Sequence, residues 1–393
     1  MEQFRKILLQ YWGYKDFRPL QEEIIQSIYD NKDTLALMPT GGGKSITFQV
    51  PALVKDGICI VITPLIALMK DQVEGLKKLG IRAMAIHSGM TRHEIDIAFD
   101  NAAYGDYKFL YLSPERLATE MFRTRVLKMN VNMLVVDEAH CISQWGYDFR
   151  PSYLRIAETR ELLPDVPILA LTATATPKVV EDIMDKLKFK TKNILKKSFE
   201  RKNLIYAVRE AEDKESKLVQ ILHKVGGCGI VYVRDRGKTK KIAEILQKSG
   251  ISADYYHAGL STEMRSAKQD AWKNNTTRII VATNAFGMGI DKPDVRIVVH
   301  IDLPDSLEAY FQEAGRAGRD GKKAYALLLY HESDRLKAEQ RCRVEYPDTD
   351  EIKRVYNAAC NYLSIPYEGG KGIAYEFNLV DFSKTYSIYS LTA

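Results

Sequence analysis

No stretch of this 393-residue sequence is long and apolar enough to cross a bilayer as a helix. The longest nearly apolar run, Ile58 to Met69, is broken by Thr63-Pro64, whereas a spanning helix needs about 20 apolar residues. The opening, Met1-Glu2-Gln3-Phe4-Arg5-Lys6, lacks the charged-then-apolar layout of a signal peptide. Cysteine is scarce and scattered: Cys59, Cys141, Cys228, Cys342 and Cys360 lie far apart, with no C-x-x-C pair. That pattern excludes a disulfide framework and a zinc site of the usual spacing, and it predicts reduced thiols in an intracellular protein. Neither sign of charge dominates, with 57 Lys and Arg against 51 Asp and Glu. The net +6 permits an anionic partner such as nucleic acid without demanding one. With 46% hydrophobic and 27% charged residues, the composition is that of a globular protein, long enough for two or three domains.

What the sequence does carry is Met38-Pro39-Thr40-Gly41-Gly42-Gly43-Lys44-Ser45. An apolar run, Thr34 to Leu37, precedes it and reads as a buried strand; Ile46 to Val50 follows and reads as the start of a helix. Strand, Gly-rich turn and Lys-Ser at a helix start are the context of a phosphate-binding loop. Backbone N–H groups and the helix N-terminus point at the phosphates, Lys44 adds a point charge, and the Ser45 hydroxyl suits Mg²⁺. One position departs from the pattern: Met38 stands where the usual loop has its first Gly. Upstream, Pro19 followed by Leu20, Ile24, Ile25 and Ile28 predicts a helix with proline in its first turn. The Gln21 amide offers a donor and an acceptor that match an adenine edge.

Downstream, apolar runs at 58–62, 82–86, 109–112, 133–136 and 168–171 alternate with helical patterns and end in polar motifs. Runs apolar on both faces indicate a parallel sheet covered on both sides, whose ligands bind beyond the carboxyl ends of the strands. Asp137-Glu138 ends one such run: a carboxylate there can hold Mg²⁺, and its neighbour can take a proton from an attacking water. Residues 186–203 are rich in Lys and Arg, which reads as a solvated linker and a domain boundary near 198. A second alternating set follows, with strands at 229–233, 255–256, 278–283 and 324–330, and it supplies Arg316 and Arg319 three residues apart.

Taken in order, Phe17-Arg18-Pro19-Leu20-Gln21, the Gly41–Ser45 loop, Asp137-Glu138-Ala139-His140, Thr172-Ala173-Thr174 and Gln312…Arg316…Arg319 resemble a superfamily 2 helicase. Two stretches narrow the resemblance to the RecQ DNA helicases: the aromatic-rich Cys141-Ile142-Ser143-Gln144-Trp145-Gly146-Tyr147-Asp148-Phe149-Arg150-Pro151, and Val281 to Pro293. The likeness runs from residue 7 to about 335.

The resemblance implies an α/β fold of two tandem RecA-like domains, parallel sheets flanked by helices, with a short helical, winged-helix-like C-terminal piece. The expected domains are 1–197 (ATP-binding), 198–335 (second RecA-like) and 336–393, the last without a zinc module. It implies ATP and Mg²⁺ in the cleft between the lobes, with Tyr14, Arg18 and Gln21 at the base. Thr40, Gly41, Gly42, Gly43, Lys44, Ser45 and Asp291 would surround the rest of the nucleotide, Ser45 and Asp137 the metal, and Glu138 the water. Gln312, Arg316 and Arg319 would enter from the second lobe, Arg319 as arginine finger. DNA would cross both lobes on Pro64, Ser113, Arg236, His257 and Thr283, with Trp145, Phe149 and Arg150 as the coupling loop. Aromatics suit that loop because any base can stack on them, worth ~1–3 kcal/mol each. The implied activity is ATP-driven 3′-to-5′ movement on single-stranded DNA and unwinding of partly duplex DNA in repair and recombination. The setting would be bacterial cytoplasm and nucleoid or a eukaryotic nucleus, with no membrane partner.

The sequence departs from the family pattern at Tyr147, where His is usual, and at Arg234, where a smaller residue is usual. Cys342 and Cys360 are too few for the family's four-cysteine module, so no zinc is expected. Ile352, Val355, Tyr356, Ala359, Tyr362 and Leu363 predict an amphipathic helix over 350–364, and Glu368 to Gly372 a turn before a short strand. The end at Ala393 reads as the opening of a winged helix in a trimmed or minimal family member. Two rival functions share these motifs. One is an RNA-dependent ATPase, since no residue is seen to read the 2′-hydroxyl. The other is a nucleotide-switched DNA-binding module without catalysis, against which the intact Lys44, Glu138 and Arg319 argue.

Overall fold

The computed structural model describes residues 1–39, 41–146, 148–196, 198, 200–287, 292–366 and 369–388. Thr40, Tyr147, Asp291 and Glu368, named above, lie outside the described residues. The apolar runs of the first half become strands β1 (Thr34–Leu37), β2 (Ile58–Ile62), β3 (Ala83–Ile86), β4 (Phe109–Leu112), β5 (Val131–Val136), β6 (Ile168–Thr172) and β7 (Ile194–Lys196). They form one sheet in the order β3-β4-β2-β5-β6-β1-β7, paired in parallel. Alternate residues of a run serve opposite cores: Leu35, Ile60 and Leu134 on one face, Ala36, Cys59 and Val135 on the other. A strand buried on both faces has no polar positions to spare, hence the unbroken apolar runs. The second half adds β8 (Leu204–Glu210), β9 (Cys228–Tyr232), β10 (Ala253–Tyr256), β11 (Ile279–Ala282), β12 (Val295–His300) and β13 (Ala324–Tyr330). Their order is β10-β11-β9-β12-β13-β8. The expected pair of parallel sheets flanked by helices is the observed fold.

Several expectations are corrected. Pro19 is not in the first turn of its helix, which spans Gln21–Tyr29; Leu20, at φ 76°, breaks the helical path between them. The basic stretch 186–203 is not wholly linker, because Ile194–Lys196 adds an edge strand beside β1. No strand follows the turn at 369–372 among the described residues; the chain runs irregularly to a helix, Leu379–Tyr386, capped by the Asn378 side chain.

Packing divides the chain into two compact units. The first sheet and all of the second but the last two residues of β8 and of β13 belong to the unit formed by Met1–Val208 and Glu215–Leu328. The other unit joins Arg209–Lys214 to Leu329–Ala393, with a buried Lys214–Asp334 ion pair between its two segments. The expected amphipathic helix spans Thr349–Tyr362 and packs Val355, Ala358, Ala359 and Tyr362 against Phe382 and Ile388. Ile352 and Tyr356 stay exposed. No helix among the described residues is long and apolar enough to cross a membrane.

Candidate nucleotide site and nucleic-acid interface

The phosphate loop leaves β1 and enters the helix Lys44–Val54. Gly41 and Gly43 take φ 76° and 77°, a left-handed conformation that a side chain at either position would strain. A Cβ would also crowd the neighbours: on Gly41 it would lie 2.9 Å from Arg319 Cγ, and on Gly43 it would meet Gln21 Nε2, so those side chains would have to shift. Met38 is buried under the loop with Ile24, Ile28 and Phe48. The family's Gly is therefore replaced by a core residue, with its side chain in the core.

The elements before the loop brace it. Arg18 Nη1 donates to Gly41 O at 2.7 Å, and Gln21 Nε2 donates to Gly43 O at 3.0 Å. Gln21 Oε1 in turn accepts from Arg18 N at 2.8 Å. Tyr14, 56% exposed, lies on the segment leading into them. Inside the loop's helix, Ser45 Oγ accepts from Gln72 Nε2 at 3.2 Å.

Two strands away, β5 delivers the acidic pair. Asp137 N donates to Ile62 O at 2.9 Å, and Tyr153 Oη donates to Asp137 O at 2.9 Å, fixing the backbone. Glu138 takes φ 48°, a left-handed conformation that costs on the order of 1–3 kcal/mol in a non-glycine residue. Burial pushes the Asp137 carboxyl up to about 7, the Glu138 charge adds to this, and Lys44 opposes it. Burial pushes Glu138 up too, but the charges of Lys44 first and of Arg316 outweigh it and hold that carboxyl below its usual range. The arrangement therefore keeps Glu138 ionised. Its Oε2 is buried without a hydrogen-bond partner, and so is Arg316 Nε. Orphaned polar atoms on both sides of a cleft, facing a Gly-rich loop at a helix N-terminus, fit a Mg-nucleotide.

The second lobe reaches this site directly. Arg316 is buried, donates through Nη1 to Gly287 O, and its charge acts on Glu138. Arg319 lies along Gly41. Gln312 lines a narrow gap facing Pro39 and Thr174. An exposed pair, Lys273 with Asp71 at 3.0 Å, also spans the lobes. Arg201, read from sequence as linker charge, does something more specific: it donates to Gly315 O at 2.9 Å and to Gly318 O. Asn203 Nδ2 donates to Gly318 O at 2.7 Å. The connection between the sheets thus clamps the loop that carries Arg316 and Arg319.

The residues expected to touch DNA all follow strand ends. Pro64 and Ser113 follow β2 and β4; Arg236, His257 and Thr283 follow β9, β10 and β11. Pro64 is joined to the aromatic loop, because Arg150 Nη1 donates to Pro64 O at 3.2 Å and Arg150 pairs with Asp148 at 2.9 Å. Trp145 is 62% exposed, with Lys178 Nζ 3.1 Å from the centre of its ring, and Lys186 lies over Phe149. On the other lobe, Arg236 Nη1 borders the His257–Gly259 turn and Thr283 N donates to Tyr256 O.

One residue escaped the sequence. The orders β3-β4-β2-β5 and β10-β11-β9-β12 are equivalent, so His87-Ser88-Gly89-Met90-Thr91 stands in the first lobe where His257-Ala258-Gly259-Leu260-Ser261 stands in the second. Each ends in a hydroxyl that caps the next helix. His87 is the counterpart of His257, and the repeated H-x-G-x-[S/T] was the available signal.

The sequence matches the DEAD/DEAH box helicase family over residues 18–183 and the helicase conserved C-terminal domain over 213–321. It is 41% identical over 360 residues to the probable ATP-dependent DNA helicase RecS of Bacillus subtilis, covering 90% of this chain and 72% of that one. It is 42% identical to the ATP-dependent DNA helicase RecQ of Haemophilus influenzae, covering 87% of this chain and 55% of that one. The fold is also that of the DUF1998 helicase MrfA crystallised with DNA: TM-score 0.70, 16% identity, 86% of this chain and 50% of that chain covered.

Proposed function

The chain belongs to the RecQ family of ATP-dependent DNA helicases, and on that premise we propose that it hydrolyses Mg-ATP between its lobes to move 3′ to 5′ along single-stranded DNA, opening duplexes met on the way during repair and recombination. The observation that carries this reading is the reach of the second lobe into the first: Arg316 acts on the Glu138 carboxylate while Arg319 packs on the phosphate loop. Hydrolysis then depends on how the lobes meet.

Tyr14, Arg18 and Gln21 would flank the base, and the loop N–H groups with Lys44 would hold the phosphates. Ser45 and Asp137 would hold Mg²⁺, which supplies neutralisation of charge on the β/γ oxygens. Glu138, kept ionised, takes the proton of the attacking water. Arg319 stabilises charge on the transferred group, and Arg316 with Gln312 lines the second-lobe side. Residues 1–197 and 198–335 are the two moving parts of this scheme.

DNA sensing would run from the aromatic loop to the acidic box through a continuous chain of contacts. Asp148 joins Arg150 to Cys141, and His140 Nδ1 lies 3.0 Å from Thr172 Oγ1. A base stacking on Trp145 would displace Lys178 from the same ring face. Trp145→Ala is therefore expected to bind single-stranded DNA nearly as well as the parent in a fluorescence anisotropy titration, while its ATP turnover stays at the DNA-free rate. Normal stimulation in that variant would remove the loop from the coupling path. Polarity is tested by strand displacement from duplexes with a 3′ or a 5′ single-stranded tail. The 3′-tailed substrate is expected to open, and preferential opening of the 5′-tailed one would overturn the direction assigned.

A further inference from the structure

Behind the acidic box, His140, Cys141 and Asp148 bring a ring nitrogen, a sulfur and a carboxylate oxygen within 4.8 Å of one another. Cys141 Sγ lies 3.7 Å from His140 Nε2 and 3.7 Å from Asp148 Oδ2. A tetrahedral zinc with bonds of about 2.3 Å to sulfur and about 2.0 Å to nitrogen or oxygen holds such atoms about 3.5 Å apart. The imidazole has the tautomer a ligand needs. The Thr172 hydroxyl donates to Thr174 O at 3.2 Å, so at its 3.0 Å contact with His140 Nδ1 it accepts. The proton then sits on Nδ1, and the Nε2 lone pair faces Cys141. A second ring nitrogen fixed by an outer hydrogen-bond partner is the usual support of a metal-bound histidine.

We propose that His140, Cys141 and Asp148 bind one zinc-class cation, which ties the aromatic loop to the acidic box and slows DNA-stimulated ATP hydrolysis. Neutral imidazole, thiolate and carboxylate balance a divalent ion, while Arg150, paired with the same carboxylate, leaves the cluster with one positive charge in excess. On binding, the thiol S–H breaks, its proton leaves to solvent and a metal–sulfur bond forms. Burial first, then the Asp148 and Glu138 charges, push the free thiol up, so it stays protonated until the cation arrives. Arg150, 2.9 Å from the same Asp148 oxygen, opposes cation entry and also orients the carboxylate. A sulfur and nitrogen donor set selects zinc over the harder Mg²⁺. Entry is from a cavity of about 180 Å³ lined by His140, Trp145 and Gly146. These positions lack the spacing of a structural zinc module, which is why the cysteine pattern alone gave no hint of them.

Binding rests on this geometry alone, whereas the inhibition rests on the aromatic loop being the coupling element. The test is a cobalt titration of the full chain, followed by the thiolate-to-cobalt charge-transfer absorption and its loss on adding zinc. The band is expected in the parent and in Cys342→Ser, which removes the exposed cysteine, and absent in Cys141→Ser. With Mg²⁺ in excess, zinc is expected to suppress DNA-stimulated turnover of the parent, and Cys141→Ser to need at least about 10–100-fold more. If Cys141→Ser does not fold by circular dichroism, Asp148→Asn takes its place and is expected to weaken cobalt binding. A band that persists in Cys141→Ser, or none in the parent, would overturn the site. A site behaving as expected but without effect on turnover would overturn the inhibition, and the Trp145→Ala assay separately decides whether the loop couples.

Discussion

Replacing Glu138 by glutamine is expected to lower DNA-stimulated ATP hydrolysis by about 10²–10⁴, the usual contribution of a positioned general base, while ATP binding persists. Glutamine preserves the shape of the side chain and the left-handed backbone at φ 48°, but it cannot take a proton from water. Lys44 and Arg316 hold the native carboxyl below its usual range, so the parent is expected to enter each cycle with its base ready. Asp137 next to it stands differently: burial, then the Glu138 charge, raise it to about 7, and a bound cation would return it to the charged form. On this reading the two carboxylates would divide metal holding from proton transfer. Turnover with single-stranded DNA, together with binding of a fluorescent ATP analogue, checks this. An unchanged rate in Glu138→Gln would remove Glu138 from the chemistry.

Arg319→Ala is expected to cost about 10³–10⁵ in turnover, the range of an arginine finger. The side chain lies on Gly41, within the loop that would hold the phosphates, and its own loop is pinned by Arg201 and Asn203 through the Gly315 and Gly318 carbonyls. Arg319→Lys keeps the charge without the planar fork and should recover little. The expected signature is a fall in kcat with ATP affinity little changed. A variant with parental kcat would mean that another group, Arg316 foremost, supplies the positive charge.

The central strands were legible because a strand buried on both faces leaves an unbroken apolar run, as at 58–62 and 109–112. The edge strand Ile194–Lys196 was not, since its outer residues are exposed and it hides in a basic stretch. In β12, Arg296 breaks the apolar run, and its guanidinium leaves the sheet to pair with Asp320 at 2.6 Å. The motifs of the site were visible because each is a short run with its own chemistry. What linked them was not. Arg201 holds carbonyls 114 and 117 residues away, and no local pattern announces such a contact. The Gln21 amide does meet the loop, although its bonds run to backbone carbonyls. Met38 departs from the loop pattern because its side chain belongs to the core beneath the loop.

The most direct test of DNA-driven catalysis is steady-state ATP hydrolysis without nucleic acid, then with single-stranded DNA, then with RNA of the same sequence. Strong stimulation by DNA with little by RNA is the result predicted. Equal or greater stimulation by RNA would contradict the DNA assignment, and no stimulation by either, with ATP bound, would contradict the coupling between the aromatic loop and the acidic box.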